Sequence, residues 1–197
     1  MDLTRFAEDV HKNAVEHGWW EDERSFGEIV ALCHSELSEA LEEYRARRPL
    51  VYCIDHTDDE VFLCVDQAKI LEMGAKPEGI AVELADCIIR ILDWFGQNGI
   101  DADHEIEAGK GLRDFVFRRD IESDIGTLFS DLHLCLSMAY RNWRNGHNAN
   151  NINPHMGLCI AIIYDWAEKN SLNLDPIIEM KHQYNKGRPY RHGGKAL

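Results

Sequence analysis

Two short acidic patterns in this chain have the spacing of metal ligands. Glu36 and Glu39 lie three residues apart, and so do Glu83 and Asp86. On an α-helix this spacing puts both side chains of a pair on one face. Four carboxylates that converge from two packed helices favour a hard divalent cation, Mg²⁺ or Mn²⁺. The chemistry that such a site predicts is the binding and hydrolysis of a polyphosphate.

The two helices that carry these pairs differ in how strongly they argue for a metal. The first pair lies in a helix predicted from about Ser25 to Arg47, where acidic residues alone are typical of a solvated face. The second lies in a helix predicted over 80–97, whose apolar residues cover nearly its whole circumference. Buried carboxylates are costly unless they are paired or metal-bound. Arg90 can pair with Asp86, but one arginine cannot satisfy every acid on both helices.

The rest of the chain predicts an all-α helical bundle in which a small β-hairpin is inserted at about residues 50–66. Apolar β-prone runs at 50–54 and 61–65 flank the polar turn 56–60, which is a hairpin signal. Further helices are predicted at about 3–17, 102–109, 120–144, 154–170 and 174–186, and the asparagine-rich stretch 145–154 is expected to be a connection. A chain of 197 residues is long enough for one decorated domain.

A weak internal repeat runs through the sequence. The segment 91–94 and the following Asn98 resemble the segment 163–166 and Asn170, and 35–37 resembles 130–132. If two helical units arose by duplication, this alignment places His155 where the first copy has Glu83, so the second copy has lost ligands. Short matches between helices also arise by chance, and the repeat is left open at this point.

Composition excludes several classes of function. The formal charge is −14 and the isoelectric point is near 5.1, which argues against a general nucleic-acid binder. The start shows no signal-peptide pattern, and no apolar run approaches the length of a membrane span. The six cysteines form no Cys-x-x-Cys zinc motif. We therefore expect no membrane partner and a cytoplasmic location.

The basic C-terminal segment, residues 181–197, contains lysine and arginine but no acidic residue. Lys181 and Asn185 share a helix face, and Arg188 follows in a glycine-containing stretch suited to phosphate oxygens. Alone it would be a solvated tail. Opposite an acidic metal cluster, it supplies the cationic half of a metal–triphosphate site. Trp20 is a further candidate, since an indole can stack on a nucleobase.

Together these motifs resemble the MazG-like nucleotide pyrophosphohydrolases of the all-α NTP pyrophosphatase superfamily. The resemblance is carried by Glu36-x-x-Glu39, Glu83-x-x-Asp86 and Lys181-x-x-Tyr184-Asn185-x-x-Arg188. It spans roughly residues 18–48, 76–101 and 120–195, and the 50–75 insert makes the gap between the acidic pairs longer than is usual in the family.

The resemblance implies a single MazG-like domain, residues 1–197, that hydrolyses a nucleoside triphosphate, and a deoxynucleotide is favoured. Cleavage between the α- and β-phosphates would give a monophosphate and pyrophosphate. Glu36, Glu39, Glu83 and Asp86 would hold Mg²⁺, with Mn²⁺ as a substitute. Lys181, Asn185, Arg188 and Trp20 would contact substrate, Glu39 would act as the general base, and a homodimer or homotetramer is implied by analogy.

Two alternatives belong to other functional classes. A di-iron carboxylate bundle uses the same kind of ligand, but it needs Glu-x-x-His pairs, which neither acidic motif offers. A helical interaction module without catalytic activity would keep the fold and would not be stabilised by Mg²⁺.

Overall fold

The computed structural model describes residues 1–57, 60–117 and 124–194, and it confirms a mostly helical bundle with one small antiparallel sheet of two strands. The elements in chain order are α1 (Leu3–Glu16), α2 (Phe26–Arg45), β1 (Cys53–Thr57), β2 (Glu60–Cys64), α3 (Gln67–Met73), α4 (Ile80–Gln97), α5 (Ala102–Val116), α6 (Ile125–Arg144), α7 (Ala149–Lys169), α8 (Asp175–Lys186) and α9 (Arg191–Gly194). Within these ranges, no helix combines the length and the apolar character that crossing a membrane requires.

Helix α4 is the centre of the first half of the molecule. It is buried on most sides, as its sequence predicts, and α1, α2 and α8 pack against it. Gly79 precedes the helix with a φ of 112°, a conformation that residues with a side chain rarely adopt. A Cβ at Gly79 would also clash with the Leu50 carbonyl oxygen, which accepts a hydrogen bond of 3.1 Å from the Ala81 amide. These contacts fix the start of α4 and therefore the positions of Glu83 and Asp86.

Helix α2 begins with a capping box. The Ser25 hydroxyl accepts from the Glu28 amide at 3.2 Å, and the Glu28 carboxylate accepts from the Ser25 amide at 2.6 Å. From this start a buried stripe runs along α2 and packs on α4. The same packing brings Glu36 against the acidic residues of α4.

The second half repeats the arrangement of the first. We call α1, α2 and α4 the first unit, in which α1 and α2 both pack on α4. We call α5, α6 and α7 the second unit, in which α5 and α6 both pack on α7. The C-termini of α4 and α7 also match, because the Asn98 and Asn170 side chains each donate to the carbonyl of a tryptophan one turn earlier, at 2.8 and 2.7 Å. This repetition favours the duplication that the sequence analysis left open.

The contacts between the units are reciprocal. The Thr4 amide donates to the Asp103 carboxylate at 3.0 Å, and the Asp103 amide donates to the Thr4 hydroxyl at 3.2 Å. On the facing helices α2 and α6, the Nδ1 atoms of His34 and His133 lie 2.7 Å apart. Both pairs are 99 residues apart in sequence. An approximate two-fold relation between the units produces contacts of this kind.

The helix ends correct the predicted alignment of α2 with α6. The same separation of 99 residues relates the N-caps Ser25 and Asp124 of these two helices. The counterpart of Glu36 is therefore Cys135, and the match with Asp131 suggested by residues 35–37 is wrong. Four-residue shifts preserve a helical face, so a short sequence match cannot distinguish the two registers.

The inserted hairpin is present, but the insert also contains a helix that the sequence analysis missed. In the hairpin Cys53 is opposite Cys64 and Ile54 is opposite Leu63, while the turn residues Asp58 and Asp59 lie outside the described residues. Helix α3 follows at once, although its start and end signals were visible. Asp66 caps its N-terminus through the amides at 68 and 69, and Gly74 ends it with a left-handed φ of 60°.

Two other helix boundaries differ from the predictions. Helix α7 begins at Ala149, so most of the asparagine-rich stretch is helical and Pro154 lies inside the helix. Burial of Ile152 and Asn153 outweighs the hydrogen bond that proline removes. Helix α5 extends to Val116 rather than ending near 109. The predicted start of α6 at 120 falls outside the described residues.

Candidate metal and phosphate site

Three of the four predicted metal ligands lie together. One carboxylate oxygen from each of Glu36, Glu39 and Glu83 lies within 4.8 Å of the others. Glu36 and Glu83 are buried, with exposed fractions of 7% and 5%, whereas Glu39 is exposed. The cluster therefore has a buried floor of two carboxylates and a third at the edge of the solvent.

Burial and crowding raise the pKa of the two buried carboxyl groups. Burial raises the pKa of Glu36 to about 7, and the nearby Asp86 carboxylate adds to this rise. Burial also raises the pKa of Glu83 to about 7, although the neighbouring Lys181 ammonium opposes the shift. A divalent cation would relieve the repulsion among these carboxylates, because each of them is stabilised in its charged form by a positive neighbour.

The fourth predicted ligand, Asp86, is paired with Lys181. The Lys181 ammonium lies 2.8 Å from an Asp86 oxygen and 3.9 Å from a Glu83 oxygen, and Lys181 is only 2% exposed. Burial lowers the pKa of Lys181, but the two carboxylates outweigh it and the net shift is upward. Asn185 also donates to Asp86, over a long 3.4 Å, while its own amide oxygen has no hydrogen-bond partner among the described residues. The predicted substrate contacts Lys181 and Asn185 thus adjoin the acidic pair of α4.

Arg90 of α4 forms its ion pair with a residue of α2 and not with a residue of its own helix. The sequence suggested Asp86, one turn earlier, as its partner, but its Nε donates to Glu36 of α2 at 3.1 Å. Burial lowers the pKa of Arg90, and Glu36 with Asp86 more than offsets this, so the guanidinium is firmly charged. Arg90 therefore anchors one side of the cluster and Lys181 the other.

A small cleft of about 50 Å³ opens beside these residues, between α1, α4 and α8. Its walls include Asp86, Arg90, Asn185 and Arg188, together with Trp19. The predicted phosphate contact Arg188 is thus next to the acidic site. The volume is enough for a few water molecules, so the cleft does not enclose a nucleoside.

Trp20, the predicted base contact, is held in a polar network that the sequence analysis did not foresee. Its indole N–H donates to both oxygens of Asp93, at 2.9 and 3.1 Å. Nδ1 of His11 lies 2.8 Å from the same carboxylate, and Asp93 is only 5% exposed. Asp93 was recognisable in the polar stripe of α4, but nothing in the sequence indicated that partners would come from α1 and the loop after it.

The C-terminal segment docks on that same loop. The Arg188 carbonyl oxygen lies 3.0 Å from Nε2 of His17, and the Arg191 side chain donates to the Gly18 carbonyl at 3.1 Å. The hydroxyl of Tyr190 bonds to Glu21, and its ring occupies the space where a Cβ at Gly18 would lie. These contacts hold Arg188 next to the cleft. Residues 195–197 of the basic segment lie outside the described residues.

The corresponding positions in the second unit carry no acidic group. Cys135 stands where the first unit has Glu36, Met138 where it has Glu39, and His155 where it has Glu83. Across the residues with described side chains, the cluster in the first unit is the one group of three or more acidic, histidine or cysteine side chains close enough to hold a metal ion. It contains no histidine, so these described side chains bring together no ligand set of the Glu-x-x-His kind.

No protein-family model matches this chain, and no curated protein or solved structure does so significantly.

Proposed function

We propose that the chain is a Mg²⁺-dependent nucleoside triphosphate pyrophosphohydrolase, with deoxynucleotides as the favoured substrates. The observation that carries the proposal is the convergence of Glu36, Glu39 and Glu83, two of them buried, beside the charged side chains of Lys181 and Arg90. A site that combines acids for a cation with cations for phosphates suits a metal–polyphosphate complex.

The donor set fits Mg²⁺. All of the clustered donors are carboxylate oxygens, which hard cations prefer, and the exposed side of the cluster leaves room for water and phosphate ligands. Mn²⁺ fits the same oxygens. Glu36, Glu39 and Glu83 would hold the ion, and Asp86 would join them when a substrate phosphate draws Lys181 away. The ion would neutralise phosphate charge and polarise the attacking water.

Side chains of the protein would bind the phosphates and accept the proton of the attacking water. Asn185 and Arg188 line the cleft beside Asp86, and Lys181 is buried against the acidic pair of α4. These three side chains would hold the oxygens of the triphosphate. Glu39 is the exposed member of the cluster, so it can reach a water molecule and take its proton. The water oxygen would form a bond to the α-phosphorus while the bond to the bridging α–β oxygen breaks, and pyrophosphate would leave.

A product assay tests the proposal. The purified chain is incubated with a panel of dNTPs and NTPs plus Mg²⁺, and pyrophosphate and orthophosphate are measured separately. We expect pyrophosphate and a nucleoside monophosphate from at least one substrate, and no release after chelation of the metal. Orthophosphate alone would show that a different bond is cleaved.

A binding measurement separates an enzyme from an interaction module. If no nucleotide is hydrolysed and Mg²⁺ fails to raise the melting temperature, the acidic cluster binds no ion and the chain is better regarded as a helical interaction module.

A further inference from the structure

The inserted segment forms one wall of a groove that no part of the proposed mechanism uses. The groove has a volume of about 550 Å³ and runs between α3 and the C-terminal half of α8. Its walls include Ile70 and Leu71 from α3, and Met180 and Tyr184 from α8. Ligand pockets typically measure about 300–1,000 Å³, so this groove has the size that the cleft beside Asp86 lacks.

Arg188 joins the groove to the acidic site. It lines both the 550 Å³ groove and the 50 Å³ cleft that contains Asp86 and Asn185. Tyr184 follows Lys181 by three residues on the same helix, and Lys181 contacts the acidic pair of α4. A triphosphate with its phosphates at Lys181 and Arg188 therefore has its nucleoside end next to the groove.

The lining of the groove suits a nucleobase. Ile70 and Met180 are buried and give an apolar floor, with exposed fractions of 1% and 3%. Tyr184 offers an aromatic ring at the side, on which a base can stack. The Gln183 amide at the edge has both donors and an acceptor for the polar rim of a base.

We propose that the groove between α3 and α8 is the subsite for the base and sugar of a nucleoside triphosphate. The inference rests on the proposed function, because it takes the phosphates to lie at the carboxylate cluster. It gives the inserted segment a role, since α3 supplies the wall that selects the base. Trp20, which is tied to Asp93, is then not the stacking residue.

Binding of a non-hydrolysable α,β-methylene nucleoside triphosphate, measured by calorimetry with Mg²⁺, tests the subsite without relying on turnover. Tyr184→Ala removes the stacking ring and should weaken binding by about 10-fold, whereas Tyr184→Phe should retain it. Leu71→Glu places a negative charge in the wall. It should weaken nucleotide binding at least as much, and it should leave the fold intact because Leu71 is 50% exposed. Inorganic tripolyphosphate lacks a base, so its affinity should change far less.

A tyrosine in the second unit provides the control. Tyr140 is 38% exposed on α6, and Tyr140→Ala should leave nucleotide affinity at the wild-type value. If the wild-type chain binds no nucleotide, the proposed function fails and the subsite fails with it. If the wild type binds nucleotide but Tyr184→Ala and Leu71→Glu bind it equally well, the subsite alone is refuted. A fall in tripolyphosphate affinity equal to the fall for nucleotide would also refute it, because the residues would then act on the phosphates.

Discussion

The helix pair α2/α4 of the first unit and the pair α6/α7 of the second unit are equivalent in position and opposite in chemistry. Each pair buries an apolar stripe at its contact. In the first pair, Glu36 and Glu83 are buried within that contact, while Cys135 and His155 stand at the equivalent positions in the second. The two units thus share a packing scheme but not the acidic cluster.

This difference indicates what the carboxylates are for. Because α6 and α7 pack without buried acids at these positions, the arrangement itself does not need them. Burying Glu36 and Glu83 raises the pKa of each carboxyl group to about 7, which shows that the folded chain disfavours their charged forms. A feature that opposes folding in one unit and is missing from the other is better explained by function.

Replacing one acid by its neutral amide is the most direct test of whether the acidic cluster gives the first unit its function. Glu39→Gln and Glu83→Gln should each lower the rate of pyrophosphate release by more than about 100-fold, beyond the effect usual for residues that only orient metal ligands. The reason is that each change would remove one of the proposed metal ligands, and Glu39→Gln would also remove the proposed base. Initial rates with saturating Mg²⁺ measure the effect.

The equivalent position in the second unit provides the matched control. His155→Gln should keep activity close to that of the wild type, provided that its melting temperature is unchanged. Wild-type rates in either glutamate variant would refute the site, and a loss in His155→Gln as large as that in Glu83→Gln would show that the units do not differ in function.

The buried acids of the first unit should make the stability of the chain depend on pH and on Mg²⁺. A carboxyl group with a folded pKa of about 7 and an unfolded pKa near 4.5 holds its proton longer in the folded chain. Without metal, the free energy of unfolding should therefore fall as pH rises from about 4.5 to 7, by on the order of 2 kcal/mol for each such group. Mg²⁺ binds the deprotonated form, so it should raise the melting temperature more at pH 8 than at pH 5.5.

Thermal unfolding at several pH values, with Mg²⁺ or with a chelator, measures both effects. Glu83→Gln should flatten the pH dependence and reduce the shift caused by Mg²⁺. The same Mg²⁺ shift at pH 5.5 and pH 8, or an unaltered shift in Glu83→Gln, would place the ion elsewhere.

The sequence predicted those parts of the molecule that depend on local pattern. The nearly all-apolar circumference of α4 made its burial predictable, and the spacing of Glu36, Glu39 and Glu83 predicted their convergence. The partner of Arg90 was not predictable, because Glu36 lies 54 residues away in sequence and on another helix. Contacts between distant segments depend on how the helices cross, which no single segment encodes.

The same limit explains the errors in the second unit and the insert. A four-residue shift keeps the same helix face, so the register of α2 against α6 was decided by helix ends and not by short matches. Proline normally breaks a helix interior, yet Pro154 lies within α7 because its neighbours are buried. The short helix α3 has only seven residues, and its role in a groove appears only with α8 beside it.

A smaller effect comes from comparing two aspartates at equivalent positions on α4 and α7. Asp93 is buried and bonded to His11 and Trp20, whereas the Asp165 side chain is 38% exposed and pairs with Arg113 at 2.5 Å. Asp93→Asn should lower the free energy of unfolding by roughly 2 kcal/mol, because it weakens charge-assisted hydrogen bonds in a buried network. Asp165→Asn should cost less than about 1 kcal/mol, as is usual for exposed pairs. Equal losses in chemical denaturation would contradict this ranking.

The smallest expected effect lies where the two units meet. Nδ1 of His34 and Nδ1 of His133 lie 2.7 Å apart, and burial lowers the pKa of both imidazoles. One Nδ1 must donate and the other accept, so the contact requires at least one neutral ring. In the unfolded chain a histidine takes up a proton near pH 6.5. In the folded chain these two rings take up a proton only at lower pH, because their pKa is lowered. The stability that the contact contributes is therefore present above pH 6.5 and declines as the pH falls below it.

At pH 5 the pair should contribute about 1 kcal/mol less stability than at pH 7. Glu36 and Glu83 also titrate over this range, so the contribution of the pair is measured as the difference in the free energy of unfolding between the wild type and His133→Gln, both with a chelator. This difference should be about 1 kcal/mol smaller at pH 5 than at pH 7. If it is the same at both pH values, the contact between the units is insensitive to pH.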